Sequence, residues 1–151
     1  MKILIVESRY YEGVASELLK GVKSALEEAR VDFDIVNVAG SLEIPAAIKF
    51  AHSASENTGE KYAGYIALGC VIRGETKHFD IVSMESARGI MDLTIQYDLA
   101  IANAILTVEN KEQAMVRAST NGKNLGYNAG KTCLEMIKLR EKLNGNKNKN
   151  E

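Results

Sequence analysis

Four short apolar runs alternate with longer stretches of helical periodicity, and this alternation constrains the fold more than any other feature of the chain. Lys2 to Val6, Phe33 to Val38, Tyr62 to Leu68 and Leu99 to Leu106 read as strands. Leu18, Val22, Ala25 and Ala29, with Leu19 and Leu26 beside them, recur at helical spacing and predict an amphipathic helix over Val14 to Arg30. Pro45 suits the first turn of a second helix, where its missing N–H costs nothing, and Ile44, Ala47, Ile48 and Ala51 supply an apolar face. Ser53 to Lys61 is polar and includes Asn57-Thr58-Gly59, a break. Ile81, Met84, Ala87, Met91 and Ile95 mark a third helix. Asn110, with Gln113 three residues on, resembles a capping pair that opens a fourth. After a polar interruption at Ser119 to Asn124, helical spacing returns from Leu125 to Leu143. Strands alternating with helices imply parallel pairing through right-handed crossovers. The expected class is therefore α/β, a four-stranded parallel sheet flanked by helices on both faces. Such a sheet has two open edges, and a neighbouring chain can complete one of them.

Composition narrows the function classes. With 151 residues the chain suits a single domain, expected over 1–143, ahead of a polar tail at 144–151 expected to be mobile. Lys+Arg is 19 against Asp+Glu 20, which argues against a nucleic-acid binder. No window is long and apolar enough to span a bilayer, and the first apolar run meets Glu7 too early for a secretory leader. The expected location is the cytoplasm. Cys70 and Cys133 lie far apart, and His52 and His78 are the only imidazoles, so no zinc spacing can be assembled and no metal is expected.

In an open parallel sheet, ligands bind beyond the carboxyl ends of the strands. Those ends carry Ser8-Arg9-Tyr10-Tyr11, Gly40-Ser41-Leu42-Glu43, the stretch from Gly69 to His78, and Thr107, all along one rim. Tyr10 and Tyr11 suit stacking on a flat heterocycle, or one is a core residue. Glu43 suits substrate hydroxyls, or is a surface acid near a helix start. Gly74 allows close backbone approach, and Thr76 with neighbouring amides suits a phosphate, or is simply an N-cap. His78 suits proton transfer near neutral pH, or is a loop histidine without a ligand. Two other motifs carry no weight. Gly126-Tyr127-Asn128-Ala129-Gly130-Lys131-Thr132 has three residues between its glycines where a phosphate-binding loop needs four, and it falls inside a predicted helix. No strand leads into a G-x-G-x-x-G turn.

Taken together, Ser8-Arg9-Tyr10, Gly40-Ser41-Leu42-Glu43-Ile44-Pro45 and the stretch from Ala67 to Asp80 resemble the lumazine synthase family, which acts in riboflavin biosynthesis. Ile105-Leu106-Thr107, Glu112-Gln113-Ala114 and Arg117-Ala118 continue the likeness in order. The resemblance implies a flavodoxin-like three-layer α/β sandwich with no metal and no organic cofactor. It implies condensation of 5-amino-6-(D-ribitylamino)uracil with 3,4-dihydroxy-2-butanone 4-phosphate, giving 6,7-dimethyl-8-ribityllumazine and phosphate. It also implies two small-molecule substrates and a homo-oligomer, a pentamer or a shell of twelve pentamers, with sites at subunit interfaces.

Residue by residue, the resemblance assigns Tyr10 to stacking on the pyrimidinedione and Ser41, Leu42 and Glu43 to the ribityl chain. It assigns the Cys70, Val71 and Ile72 backbone to the ring edges, the Glu75 amide and Thr76 to phosphate, His78 to proton transfer, and Arg117 to phosphate. Three positions depart from the pattern. Tyr11 stands where Asn is frequent, Asn103 where many members place a Phe near the ring, and Leu125 where many have a Lys. A helix from Asn110 runs away from the rim, so Arg117 falls roughly 10 Å from its start. Arg117 is therefore expected to serve an adjacent subunit's site. Two other readings stay open: a non-catalytic flavin- or phosphate-binding module, and a shell-forming protein with a vestigial site.

Overall fold

The structure is a computed structural model that describes residues 1–147. Its centre is β1 (Lys2–Ser8), which pairs in parallel with β2 (Asp32–Val38) on one side and β3 (Gly64–Ile72) on the other. β4 (Ile101–Val108) pairs with β3, giving a four-stranded parallel sheet in the order β2-β1-β3-β4. Between and after the strands run α1 (Glu12–Glu28), a 3-10 turn (Ser41–Glu43) leading into α2 (Ile44–Thr58), α3 (His78–Tyr97), α4 (Lys111–Ala118) and α5 (Leu125–Lys147). Residues 148–151, half of the expected polar tail, lie outside the described residues.

The two-residue period of the strands sorts the apolar side chains into two layers. Ile3, Ile5, Ile66 and Leu68 pack with Val14, Leu18, Val22 and Leu26 of α1, and with Ala114 of α4 and Ile137 of α5. Leu4, Val6, Tyr65 and Ala67 pack with Ile44 and Ile48 of α2 and Ile90 of α3. β1 and β3 are covered on both faces, which explains their continuous apolar sequence. This is the expected three-layer α/β arrangement.

Four details differ from the sequence expectations. α2 continues through the polar stretch that begins at Ser53, because Ser55 is buried and its hydroxyl donates to His52 O at 2.5 Å. The helix stops only where Gly59 turns left-handed, at φ 78°, and its N–H donates to Ser55 O. β3 runs on past the expected end at Leu68 through Gly69-Cys70-Val71-Ile72, because Ile105 to Val108 of β4 supply it with a partner strand. The residues that mark α3 do not face the core: Ile81, Met84, Met91 and Ile95 are 54–73% exposed, and Val82, Ser86 and Ile90 point inward instead. Lastly, α5 extends past Leu143 to Lys147. The glycines of its discounted phosphate-loop motif have a packing role. A Cβ at Gly126 would lie 2.1 Å from the Leu18 carbonyl oxygen, and one at Gly130 would lie 2.7 Å from Ala25 Cβ, so both let α5 lie close on α1.

Candidate active site

The parallel register brings the carboxyl ends of the strands to one rim. Ser8 of β1 stands opposite Val38 of β2, and Glu7 stands opposite Leu68 of β3. The segments leaving those ends enclose a cavity of about 430 Å³. Tyr10 and Tyr11 line it from the β1–α1 connection, and Ser41, Leu42 and Glu43 from the 3-10 turn. Cys70, Val71 and Ile72 line it from the end of β3, and Thr76 and His78 from the start of α3.

Local packing explains how each segment is held. Ser41 is buried, and its hydroxyl fits against β3 only because Gly69 carries no side chain: a Cβ there would lie 2.6 Å from Ser41 Oγ. That contact seats the turn whose next two residues, Leu42 and Glu43, are exposed to the cavity. Tyr10 is 76% exposed and meets the Tyr11 ring edge-on, with centroids 5.0 Å apart. An exposed aromatic face at the mouth of a cavity is suited to stacking. Arg73 straps the loop between β3 and α3. Its Nε donates to Glu109 at 2.8 Å, Nη1 lies 3.6 Å from Asp80, and the guanidinium stands 4.4 Å over the Phe79 ring. It thus ties the loop to the end of β4 and to the first turn of α3. The Thr76 hydroxyl accepts weakly from His78 N–H at 3.4 Å, at the start of α3. The amides of that first helical turn have no partners within the helix, and the helix dipole favours an anion there.

The Cys70 thiol is half buried, and desolvation pushes its pKa up to about 11. At neutral pH it is a thiol, which suits a wall of the cavity and not a nucleophile. Burial also raises the Tyr11 phenol, with Tyr10 and Cys70 as smaller contributors. Nothing in the cavity resembles a metal cage, and no group of three or more His, Cys, Asp or Glu side chains among the described residues could hold an ion.

Two of the expected site residues lie elsewhere. Asn103 and Arg117 line a separate cleft of about 360 Å³ at the outer edge of β4, together with Leu125 and Thr132 of α5. Arg117 Nη1 donates to Gln113 O at 3.1 Å, and Asn103 Oδ1 accepts the Ile105 N–H at 2.9 Å. Glu75 sits in the loop next to Thr76 without lining the cavity. Phe79 and Val82 also line it and were not singled out from the sequence. Val82 follows His78 by one helical turn, a spacing that carried the signal.

A parallel sheet whose carboxyl ends carry a mainly apolar cavity with an exposed aromatic ring, a carboxylate, a histidine and a helix start is the arrangement of α/β proteins that bind small molecules. A family model described as 6,7-dimethyl-8-ribityllumazine synthase matches residues 1–141. The chain is 52% identical over 143 residues to the 6,7-dimethyl-8-ribityllumazine synthase of Agrobacterium fabrum, covering 95% of this chain and 97% of that one. It is 52% identical over 145 residues to the Bartonella tribocorum protein of the same name, covering 96% of this chain and 93% of the relative. It is 50% identical over 145 residues to 6,7-dimethyl-8-ribityllumazine synthase 1 of Rhizobium meliloti, covering 96% and 95%. The chain belongs to the 6,7-dimethyl-8-ribityllumazine synthase family. No helix among the described residues is long and apolar enough to cross a membrane.

Proposed function

We propose that this chain is a lumazine synthase. It joins 5-amino-6-(D-ribitylamino)uracil to 3,4-dihydroxy-2-butanone 4-phosphate and releases 6,7-dimethyl-8-ribityllumazine, phosphate and two waters. The observation that carries this reading is the single cavity lined by Tyr10, Glu43, Thr76 and His78 in a chain of this family.

The amine of the pyrimidine attacks the ketone and water leaves to give an imine. Phosphate is then eliminated, the product tautomerises, and ring closure expels a second water. Carbon, nitrogen and electrons balance between the two substrates and the products, so no external oxidant or reductant is required. Both reactants are intrinsically reactive, and the largest task is to hold them in register, which is worth up to several kcal/mol. Tyr10 stacks on the pyrimidinedione, and Ser41, Leu42 and Glu43 hold the ribityl chain. The Cys70, Val71 and Ile72 backbone meets the ring edges. The Glu75 amide, Thr76 and the first-turn amides of α3 receive the phosphate. His78 takes and returns protons during imine formation and phosphate loss, a contribution of about 10² to 10⁴ in rate.

Arg117 and Asn103 act on the cavity of a neighbouring subunit, presented across the β4 edge. The separation of their cleft from the Tyr10 cavity supports this division. The assembly is a pentamer or a shell of twelve pentamers. The exposed Ile81, Met84, Met91 and Ile95 on α3 support burial against other copies, since several exposed large apolar side chains on one helix suit an interface. Mixing the protein with both substrates and recording lumazine absorbance tests the activity, and no product above the uncatalysed background overturns it. Light scattering gives the assembly size, and a monomer overturns the shared site.

A further inference from the structure

The penultimate residue of β1 carries a buried carboxylate. Glu7 is 2% exposed, at the point where the chain leaves the sheet toward Tyr10. Its charge is met by Arg9, whose Nη1 donates to the two Glu7 oxygens at 3.3 and 3.2 Å. The same guanidinium reaches across to α1. Nε donates to Glu12 at 2.9 Å and Nη2 to Ser16 Oγ at 2.6 Å. One side chain therefore ties the end of the strand to the first and second turns of the helix.

Tyr10 and Tyr11 lie between those tied points. Tyr11 stands at the N-cap of α1 and contributes no side-chain cap, so the helix start lacks the usual local anchor. The Tyr10 ring is largely in solvent, with the edge of Tyr11 as its aromatic contact. Its direction is therefore inherited from the backbone that Arg9 fixes. The fork of a guanidinium serves all three partners at once, which the point charge of an ammonium does not.

We propose that Arg9, oriented by buried Glu7, is a positioning residue for the pyrimidine subsite: it holds the β1–α1 connection so that Tyr10 is aimed for stacking before substrate arrives. This rests on the reading of Tyr10 as the stacking residue. A purely structural role, neutralising Glu7, needs only a positive charge, and Lys supplies one.

The test compares Arg9→Lys with a neutral pair, Glu7→Gln with Arg9→Met, each in the Tyr10 and the Tyr10→Ala background. Assembly and Tm are measured beside KM for each substrate. Direct binding of the pyrimidine, read by quenching of tyrosine fluorescence, gives the same comparison without turnover. The expected result is a rise on the order of 10-fold in KM or Kd for the pyrimidine, the scale of an oriented aromatic contact. KM for the phosphorylated ketone stays within about two-fold, and Tyr10→Ala erases the effect, because the two residues act as one unit. An unchanged pyrimidine KM in Arg9→Lys, equal rises for both substrates, or an undiminished effect in Tyr10→Ala overturns the proposal. So does failure of both variants to assemble, which would assign the cluster to folding alone. If the unaltered chain binds the pyrimidine but makes no lumazine, the enzymatic reading fails and this one stands.

Discussion

Gly69→Ala adds one methyl group beneath the side of the cavity proposed for the ribityl chain, and the structure identifies what that methyl meets. The new Cβ would meet Ser41 Oγ at 2.6 Å, while its next neighbours, Ile105 Cγ2 and Ile44 Cδ1, stand at 3.5 Å, an ordinary contact. Only the Ser41 hydroxyl clashes. Relieving the clash pushes on the 3-10 turn, because Ser41 is 6% exposed and seated against β3. Forcing a methyl into a filled site costs about 1–3 kcal/mol. Alanine recovers about 0.5–1 kcal/mol over glycine within a strand. The net loss is at most about 2.5 kcal/mol, and at about 2–4 °C per kcal/mol it lowers Tm by up to about 10 °C. The displaced turn carries Glu43, so KM for the ribitylated pyrimidine rises while KM for the phosphorylated ketone holds. Ser41→Ala in the same chain removes the clashing atom and leaves the propensity gain. The double variant should therefore melt above Ser41→Ala alone, at equal protein concentration so that assembly contributes equally. Scanning calorimetry with steady-state kinetics on all four proteins checks this. A double variant that melts below Ser41→Ala would refute the argument that Ser41 Oγ is the sole obstruction.

His78→Ala should slow turnover by about 10² to 10⁴ while leaving measurable product, since positioning survives its loss; complete inactivity in a fully assembled variant contradicts that. Arg117→Ala should raise KM for the phosphorylated ketone far more than for the pyrimidine, and mixing it with a His78→Ala variant should restore some activity at interfaces that join an intact half from each. Equal KM effects, or no restoration, would count against a shared site. The Cys70 thiol, lifted by burial from 9.0 to about 11, binds its proton more tightly in the folded chain than in the unfolded one. Its stabilising contribution is therefore complete below about pH 9 and is lost as pH rises toward about 11. Tm measured across that window should fall, and less steeply for Cys70→Ala; identical slopes would mean the thiol is not desolvated.

The layer order of the fold was legible because each strand announces itself by short apolar runs and each crossover by helical spacing. Where the reading erred, longer-range partners decided. Gly69 to Ile72 contain a glycine and lead into a polar turn, so local pattern assigns them to a loop; they are strand because β4 extends alongside them. Ser53 to Thr58 are polar and look like a break, yet Ser55 satisfies its own hydroxyl within α2 and lets the helix continue. The rim was legible from topology alone, since all strands point one way and their ends must gather. The strap formed by Arg73, Glu109 and Asp80 was not, because Glu109 lies 36 residues from Arg73 along the chain.

The α3 stripe shows most clearly where pattern stops. Periodicity reports that Ile81, Met84, Met91 and Ile95 share a face, but not what covers that face. Within one chain the inward side belongs to Val82, Ser86 and Ile90, where Gly89 lets Pro45 of α2 approach to 2.9 Å of a notional Cβ. α3 thus carries two apolar faces, more than a helix resting on a single layer needs. The cleft containing Arg117 and Asn103 likewise lies apart from the cavity containing Tyr10 and His78. The assembly proposed above accounts for both observations: a single chain would fold by itself, and neighbouring copies would complete each site. A variant that breaks the α3 face, such as Met84→Glu, should then abolish turnover through assembly while leaving the isolated fold intact by circular dichroism. An active monomer would separate the two observations and remove that explanation.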